Sequence, residues 1–303
     1  MTAISFICPR CRTPLENFSS NGYFCSNDGL HFDQIEGVWR FLLPERADYF
    51  KKFIKNYETI RRAEERGSQS AAYYHSLPYQ DLSGKMSADW HIRAVSFDVF
   101  LKRVILRAAG SLRILDLGAG NGWLSNRLAA RGHSVAAVDL MTNDFDGLGC
   151  NRFYETGFTS VQAEFDRLPF PDHSADLIVF NASLHYSIDI RATLAESLRV
   201  LDADGKLVVL DSPLYHEAAS GEKMVREREN QFTQKYGFAS NALPSQNYLT
   251  YSFLKQLCAR FALKLQIITP WYGLRWWLRP LQSKLFGRRE PARFHVLILN
   301  KIL

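Results

Sequence analysis

The ten residues from Arg113 to Gly122, Arg-Ile-Leu-Asp-Leu-Gly-Ala-Gly-Asn-Gly, constrain this chain more than any others. An apolar run interrupted by Asp116 ends in glycines at alternate positions, Gly118, Gly120 and Gly122, and the helical pattern Trp123-Leu124-Ser125-Asn126-Arg127-Leu128 begins at once. That reads as strand, glycine turn and helix, a backbone that lets a ligand approach the end of a sheet. The alternation continues downstream. Further strands are expected at 134–139, near 159–163, and at 176–181, 206–211, 263–269 and 294–299. Helices are expected at 122–131, 189–201 and 251–261. Apolar strands alternating with helices build a parallel sheet covered on both faces. The predicted fold is therefore α/β: a Rossmann-like, seven-stranded, mostly parallel sheet with helices on both faces.

In such a sheet, ligands sit beyond the carboxyl ends of the strands. The glycine turn lies there after the first core strand. The next strand ends at Asp139, placed to accept hydrogen bonds from two ribose hydroxyls. A dinucleotide fold shares this logic, so spacing has to decide. Its fingerprint places the third glycine at position 123, where this chain has Trp123. Asp116, just before the turn, would also repel a pyrophosphate and welcome a ligand carrying a sulfonium and an amino-acid tail.

Later landmarks follow in order: Ala163-Glu164-Phe165-Asp166-Arg167-Leu168-Pro169-Phe170, then Asp176-Leu177-Ile178-Val179-Phe180-Asn181, then Leu198-Arg199-Val200-Leu201 with Gly205. With these blocks, roughly 95–300 resembles the class I S-adenosylmethionine-dependent methyltransferases of the type 11-like group. The resemblance implies S-adenosylmethionine as cofactor. It assigns the methionine portion to Asp116, Gly118, Gly120 and Gly122, and the ribose to Asp139. Glu164 and Phe165 are assigned to the adenine, and Asn181 to a place beside the methyl donor. The family usually carries Asp where Glu164 stands.

Methyl transfer from a sulfonium is an in-line displacement, so alignment and exclusion of water matter more than a strong acid. A hydroxyl acceptor also needs a base. His185, just past the strand ending at Asn181, is the candidate, with a pocket-wall role as the alternative. Asp211, Tyr215 and His216 are further candidates to face the acceptor. His75, His91, Tyr73, Tyr74 and Tyr79 lie in the segment before the first core strand, which in this fold often closes over the donor. The acceptor expected is a small or lipid-linked metabolite, methylated most simply on oxygen. An RNA base methyltransferase and a non-catalytic cofactor-binding partner protein are the alternatives.

Residues 1–44 form a loop-rich stretch too small for a core of its own. Cys8-x2-Cys11 with Cys25 is three-quarters of a zinc ribbon, and Asp28 stands where a fourth cysteine would fall. His31 is the other candidate for that place. The stretch resembles the small zinc-ribbon modules fused to, or partnering, methyltransferases, which implies one structural zinc on Cys8, Cys11, Cys25 and Asp28. The expected organisation is a degenerate ribbon at 1–44, a helical linker and lid at 45–110, and the cofactor-binding domain at 111–303. Within the last, 213–247 and 271–292 are insertions.

The five cysteines make no disulfide framework, and no run of 18 apolar residues is present. No secretory signal is read at the N-terminus, so a cytoplasmic location is expected. A net charge of +6 is mild, and residues 1–44 hold few cations, which counts against nucleic acid. The aromatic and basic segment 271–289 reads as core with a basic rim, or as a membrane-surface contact.

Overall fold

The computed structural model describes residues 5–239 and 243–302. The N-terminal stretch folds as an antiparallel meander of β1 (Glu16–Ser19), β2 (Gly22–Cys25), β3 (Leu30–Ile35) and β4 (Val38–Arg40). Three helices follow: α1 (Pro44–Ala63), α2 (Ala71–Ser76) and α3 (Ser87–Arg103). Proline in the first turn of α1 supplies the helical φ where its missing N–H costs nothing.

The alternating part begins with β5 (Arg113–Leu117), α4 (Trp123–Ala129), β6 (Ser134–Asp139) and β7 (Thr159–Gln162). It continues with β8 (Ala175–Asn181), α5 (Ile190–Val200) and β9 (Leu201–Leu210). Asp189 caps α5 by accepting from the N–H groups of Arg191 and Ala192. An excursion then holds β10 (Leu214–Tyr215), α6 (Ala218–Tyr236) and β11 (Leu249–Thr250). The chain closes with α7 (Tyr251–Arg260), β12 (Leu263–Ile268), α8 (Leu274–Trp277), α9 (Arg279–Leu285) and β13 (Val296–Lys301). The strands read from the periodicity are all present, within two or three residues at most ends. Within the helical stretch expected at 45–110, α1 ends at Ala63, α2 starts at Ala71 and α3 stops at Arg103.

The main sheet has the order β1-β2-β3-β4-β7-β6-β5-β8-β9-β13-β12. Its seven-stranded part, β7 to β12, matches the expected sheet, and within it β13 alone runs against its neighbours. Eleven strands rather than seven share the sheet, because the ribbon joins it. β4 pairs parallel with β7, Val38 opposite Ser160 and Arg40 opposite Gln162. The Phe41 N–H extends this ladder to the Gln162 carbonyl at 2.9 Å. Phe6, Phe32 and Phe41 are buried in the apolar layer that also holds Phe170 and Phe180. The ribbon thus gains from its neighbour the core that its own length denies it.

A second apolar layer covers the opposite face, where Phe97, Phe100, Trp123 and Leu124 pack over β5, β8 and β9. Strand order reverses between β5 and its two neighbours, β6 on one side and β8 on the other. A crevice is expected at the carboxyl ends there, and one is present.

Candidate active site

A cavity of about 540 Å³ opens at that switch point. The glycine turn forms its floor. Gly118 has φ +81°, and a Cβ added to it would lie 2.2 Å from the Ser183 Cβ. The Ser183 hydroxyl is itself fixed, donating to the Leu117 carbonyl at 2.5 Å. Gly122, at φ +79°, would drive a Cβ to 2.7 Å from the Phe158 ring. At both positions glycine is required on conformation and on space.

Neighbouring strands supply Asp139 and Asn181 to the cavity, whereas Asp116, expected beside them, does not itself line it. Asp116 on β5 is fully buried. Its Oδ2 accepts from the Ser125 hydroxyl at 2.8 Å, whereas Oδ1 is buried without a partner. Burial, reinforced by repulsion from Asp139, raises the Asp116 carboxyl to about 7. Asp139, at the end of β6, accepts from the Gly120 and Met141 N–H groups at 2.8 Å each. Its pKa is also raised by burial. Asn181 ends β8, and its Oδ1 is a second buried acceptor with no donor. A buried polar atom left unpaired costs on the order of 1–3 kcal/mol, so the Asn181 acceptor on the cavity wall marks a surface shaped for a ligand.

Glu164 and Phe165 form the far wall. Phe165 lines the cavity and meets Phe180 edge-on at 5.5 Å. Glu164 also lines the cavity, but its carboxylate is gripped by Arg46 of α1, with Nη2 2.7 Å from Oε2 and Nε 3.0 Å from Oε1. Arg167 adds a longer contact at 3.3 Å. Burial nonetheless raises the Glu164 pKa.

The cover over the cavity comes from α1. Phe50, Phe53, Tyr57 and Arg61 line it, and Arg61 pairs with Asp146 at 3.2 Å. The Phe50, Phe53 and Tyr57 stripe is visible in the sequence, but the carboxylates that α1 meets lie far along the chain. The aromatic candidates upstream do other work. The Tyr74 hydroxyl ties Ser68 to Phe145, His75 meets the Phe153 carbonyl, and Tyr79 bonds Asp98. None of Tyr73, Tyr74, His75, Tyr79 and His91 lines the cavity.

On the other side lie His185, Asp211, Arg93 and Arg228. His185 is buried with Nδ1 3.2 Å from the Ser212 hydroxyl, and burial together with Arg228 pushes its pKa down to about 3. Asp211 follows β9 in left-handed backbone, φ +52°. Its Oδ1 accepts from Ser96 at 2.5 Å, Oδ2 is buried without a partner, and burial raises the carboxyl to about 6. Tyr215 and His216 do not line the cavity.

With this geometry in view, the comparisons with known proteins take on meaning. Residues 115–209, the run from β5 to the end of β9, match the family model described as a methyltransferase domain. The chain carries a methyltransferase domain. A ubiquinone/menaquinone biosynthesis C-methyltransferase of Shewanella halifaxensis is 30% identical over 167 residues, 51% of this chain and 63% of that protein. A demethylmenaquinone methyltransferase of Clavibacter sepedonicus is 36% identical over 110 residues, 36% of this chain and 44% of its own. The matched region therefore spans less than two-thirds of these relatives. A geranyl diphosphate methyltransferase solved with GPP and sinefungin superposes with a TM-score of 0.52 at 14% identity, over 84% of this chain and all of that one. A complex of the Haloferax volcanii Trm112 methyltransferase activator with its putative methyltransferase gives 0.52 at 15% identity, covering 73% and 93%. These two share the fold of the methyltransferase domain described here.

The ribbon carries a second cluster. Ligand atoms of Cys8, Cys11, Cys25 and Asp28 all lie within 4.8 Å of one another. The Cys8 sulfur is 3.2 Å from Asp28 Oδ2, and the Cys11 and Cys25 sulfurs are 3.5 Å apart. Two thiolates on one tetrahedral zinc stand about 3.8 Å apart, so this donor set fits such an ion. His31 lies outside the cluster, its ring against Phe18 and Phe24 at 5.2 and 4.6 Å.

Proposed function

We propose that this chain is an S-adenosylmethionine-dependent methyltransferase acting on a small or lipid-tailed metabolite. The observation that carries the reading is the unpartnered buried acceptor Asn181 Oδ1 on the wall of a cavity whose glycine floor a Cβ would fill. A cation-bearing ligand suits this site, since the Asp139 carboxylate on the cavity and the buried Asp116 carboxylate next to the glycine turn both gain from a positive charge. When bound, the cofactor supplies an electrophilic methyl on a sulfonium. Asp116 would hold its amino-acid end, Asp139 the ribose hydroxyls through the lone pairs its backbone donors leave free, and Phe165 the adenine. Because Arg46 already holds Glu164, we assign Glu164 to fixing α1 over the adenine end as well as to the adenine amino group.

Residues of this chain would then align the acceptor, exclude water beneath α1, and take a proton. Two bases face the acceptor side. An imidazole held near 3 is a weak base, so a pocket-wall role suits His185, whereas the free Oδ2 of Asp211, poised near 6, suits proton removal close to neutral pH. Arg93 and Arg228 line the same side with no ion pair among the described residues, which favours an acceptor bearing acidic character. Oxygen remains the simplest nucleophile. The names of the relatives make a carbon activated by a neighbouring oxygen the second reading, and isoprenoid quinone precursors the first compounds to try. We assign the zinc on Cys8, Cys11, Cys25 and Asp28 a structural role, since four protein ligands leave no open position. The ribbon would serve as a built-in partner for the edge of the sheet at β7.

Calorimetry tests the cofactor. S-adenosylmethionine and S-adenosylhomocysteine should bind to the wild type and weaken by about tenfold or more in Asp139→Ala, given about 1–3 kcal/mol for stranded polar partners. Binding of NAD instead, or of neither, would sink the proposal.

A further inference from the structure

The segment 271–289 turns two very different faces outward and inward. On the inner side, the Tyr272 hydroxyl meets Ser96 Oγ at 2.8 Å, and Trp276 stacks on Phe294 with ring centroids 5.5 Å apart. On the outer side stand Trp271, Leu274, Trp277, Leu281, Leu285 and Phe286, each at least 62% exposed. Positions 274, 277, 281 and 285 recur at steps of three and four, so α8 and α9 present one continuous stripe. Six of the fourteen large apolar side chains exposed among the described residues are gathered in this stretch. A patch of that kind on a soluble surface marks a docking face.

What it docks on is indicated by the charge beside it. A second cleft, of about 520 Å³, lies between α6 and α9 and is lined by Lys223, Arg279, Arg288 and Arg289. Its one acid, Glu227, is taken by Arg289 at 2.7 Å. Among the described residues, Lys223, Arg279 and Arg288 have no ion pair, whereas Arg289 holds Glu227. The Arg279 guanidinium lies 3.8 Å above the Trp276 ring, and its Nη1 is buried with no hydrogen-bond partner. An orphaned guanidinium nitrogen beside two further unneutralised cations requires an anion with several acceptor oxygens. Apolar stripe and cationic cleft are built from the same short helix, α9, so one extended partner can satisfy both. A bilayer with anionic phospholipids has that combination: acyl chains for the stripe and phosphate for the cleft.

We propose that α8 and α9 seat this protein on an anionic membrane surface, with a phospholipid phosphate held in the cleft by Arg279, Lys223 and Arg288. Phe294, on which Trp276 stacks, lines the large cavity, so the docked hairpin adjoins the acceptor side of the site. This goes beyond the methyltransferase reading and can fail or succeed without it.

Flotation of the full chain with vesicles decides the matter. Vesicles of phosphatidylcholine mixed in equal parts with phosphatidylglycerol should capture the wild type about a hundredfold better than phosphatidylcholine alone, at roughly fivefold for each of three cations. Arg279→Gln and, separately, the more exposed Arg288→Gln should each lower that partition about fivefold. Leu281→Ser with Leu285→Ser should lower capture by both vesicle types. The thermal unfolding midpoint, measured alongside, should be unchanged in all variants, which establishes that they are folded. Free glycerol 3-phosphate at millimolar concentration should leave capture intact; full displacement by it would make the cleft a site for a soluble phosphate ester and overturn the membrane assignment. Equal capture by the two vesicle types, no capture, or a stable dimer in sedimentation that hides the stripe would overturn it as well.

Discussion

Replacing Asp116 with Asn isolates what a buried carboxylate costs this fold and what it is kept for. In the folded protein the Asp116 carboxyl sits at about 7, against an ordinary value of 3.8, chiefly because burial disfavours its charge. The folded state therefore binds a proton that the unfolded chain has already released between roughly pH 4 and 7. Stability consequently falls as pH rises through that window, by about 1.4 kcal/mol per pH unit at the steepest, and the penalty is fully in place above pH 7. Asp116→Asn removes the charge, although its amide leaves a donor where Oδ1 now has no partner, at about 1–3 kcal/mol. That second cost does not change with pH. Urea unfolding of both proteins at pH 5 and pH 8 should thus show the variant gaining about 2–3 kcal/mol on the wild type between the two. The raised carboxyl of Asp211 is present in both proteins and cancels. The same variant should lose most of its affinity for S-adenosylmethionine at pH 8. An identical stability difference at the two pH values would refute the reasoning, whatever the cofactor affinity.

Two further outcomes can be checked without knowing the acceptor. Freshly purified protein should hold close to one zinc per chain. Asp28→Ala should lose it and melt at lower temperature, whereas His31→Ala should keep it; zinc retained by Asp28→Ala would place the fourth ligand elsewhere. In nitrogen-detected NMR, His185 should stay neutral from pH 5 to 8, since its conjugate acid titrates near 3; a titration midpoint near 6.5 would restore it as the favoured base.

How much of this was readable beforehand differs by kind of interaction. The strands from β5 to β9 and the turn at Gly118 are local facts, set by apolar alternation and by glycine at left-handed φ, and they stand where the residues indicate. The places of Asp139 and Asn181 on the cavity were legible because each ends a strand beside the switch point, whereas Asp116, one residue short of its strand's end, is buried without lining it. The Arg46–Glu164 clamp was not, because nothing periodic links two residues 118 positions apart. The lid expected at 45–110 includes α1, but its stripe of Phe50, Phe53 and Tyr57 did not tell that this helix would line the cavity and the tyrosines at 73, 74 and 79 would not. In α6, alternating charges read as a solvated helix, yet Arg228 turns inward to the cavity. Its sequence neighbours Glu227 and Glu229 conceal that it has no ion pair among the described residues. The ribbon posed the opposite problem. Its cysteines were evident, but the pairing of Val38 with Ser160 was not. A parallel register is written in neither strand alone.

That parallel pairing bears on how the chain is made. At ordinary synthesis rates β7 leaves the ribosome on the order of ten seconds after β4. Throughout that interval Phe41 lacks its acceptor at Gln162, and Phe6 lacks the ring of Phe170. A metal captured early by the nascent segment would hold its free edge in shape until the partner strand arrives. Cells short of zinc would then lose this protein at birth, through tangled newborn chains, before any mature copy came apart.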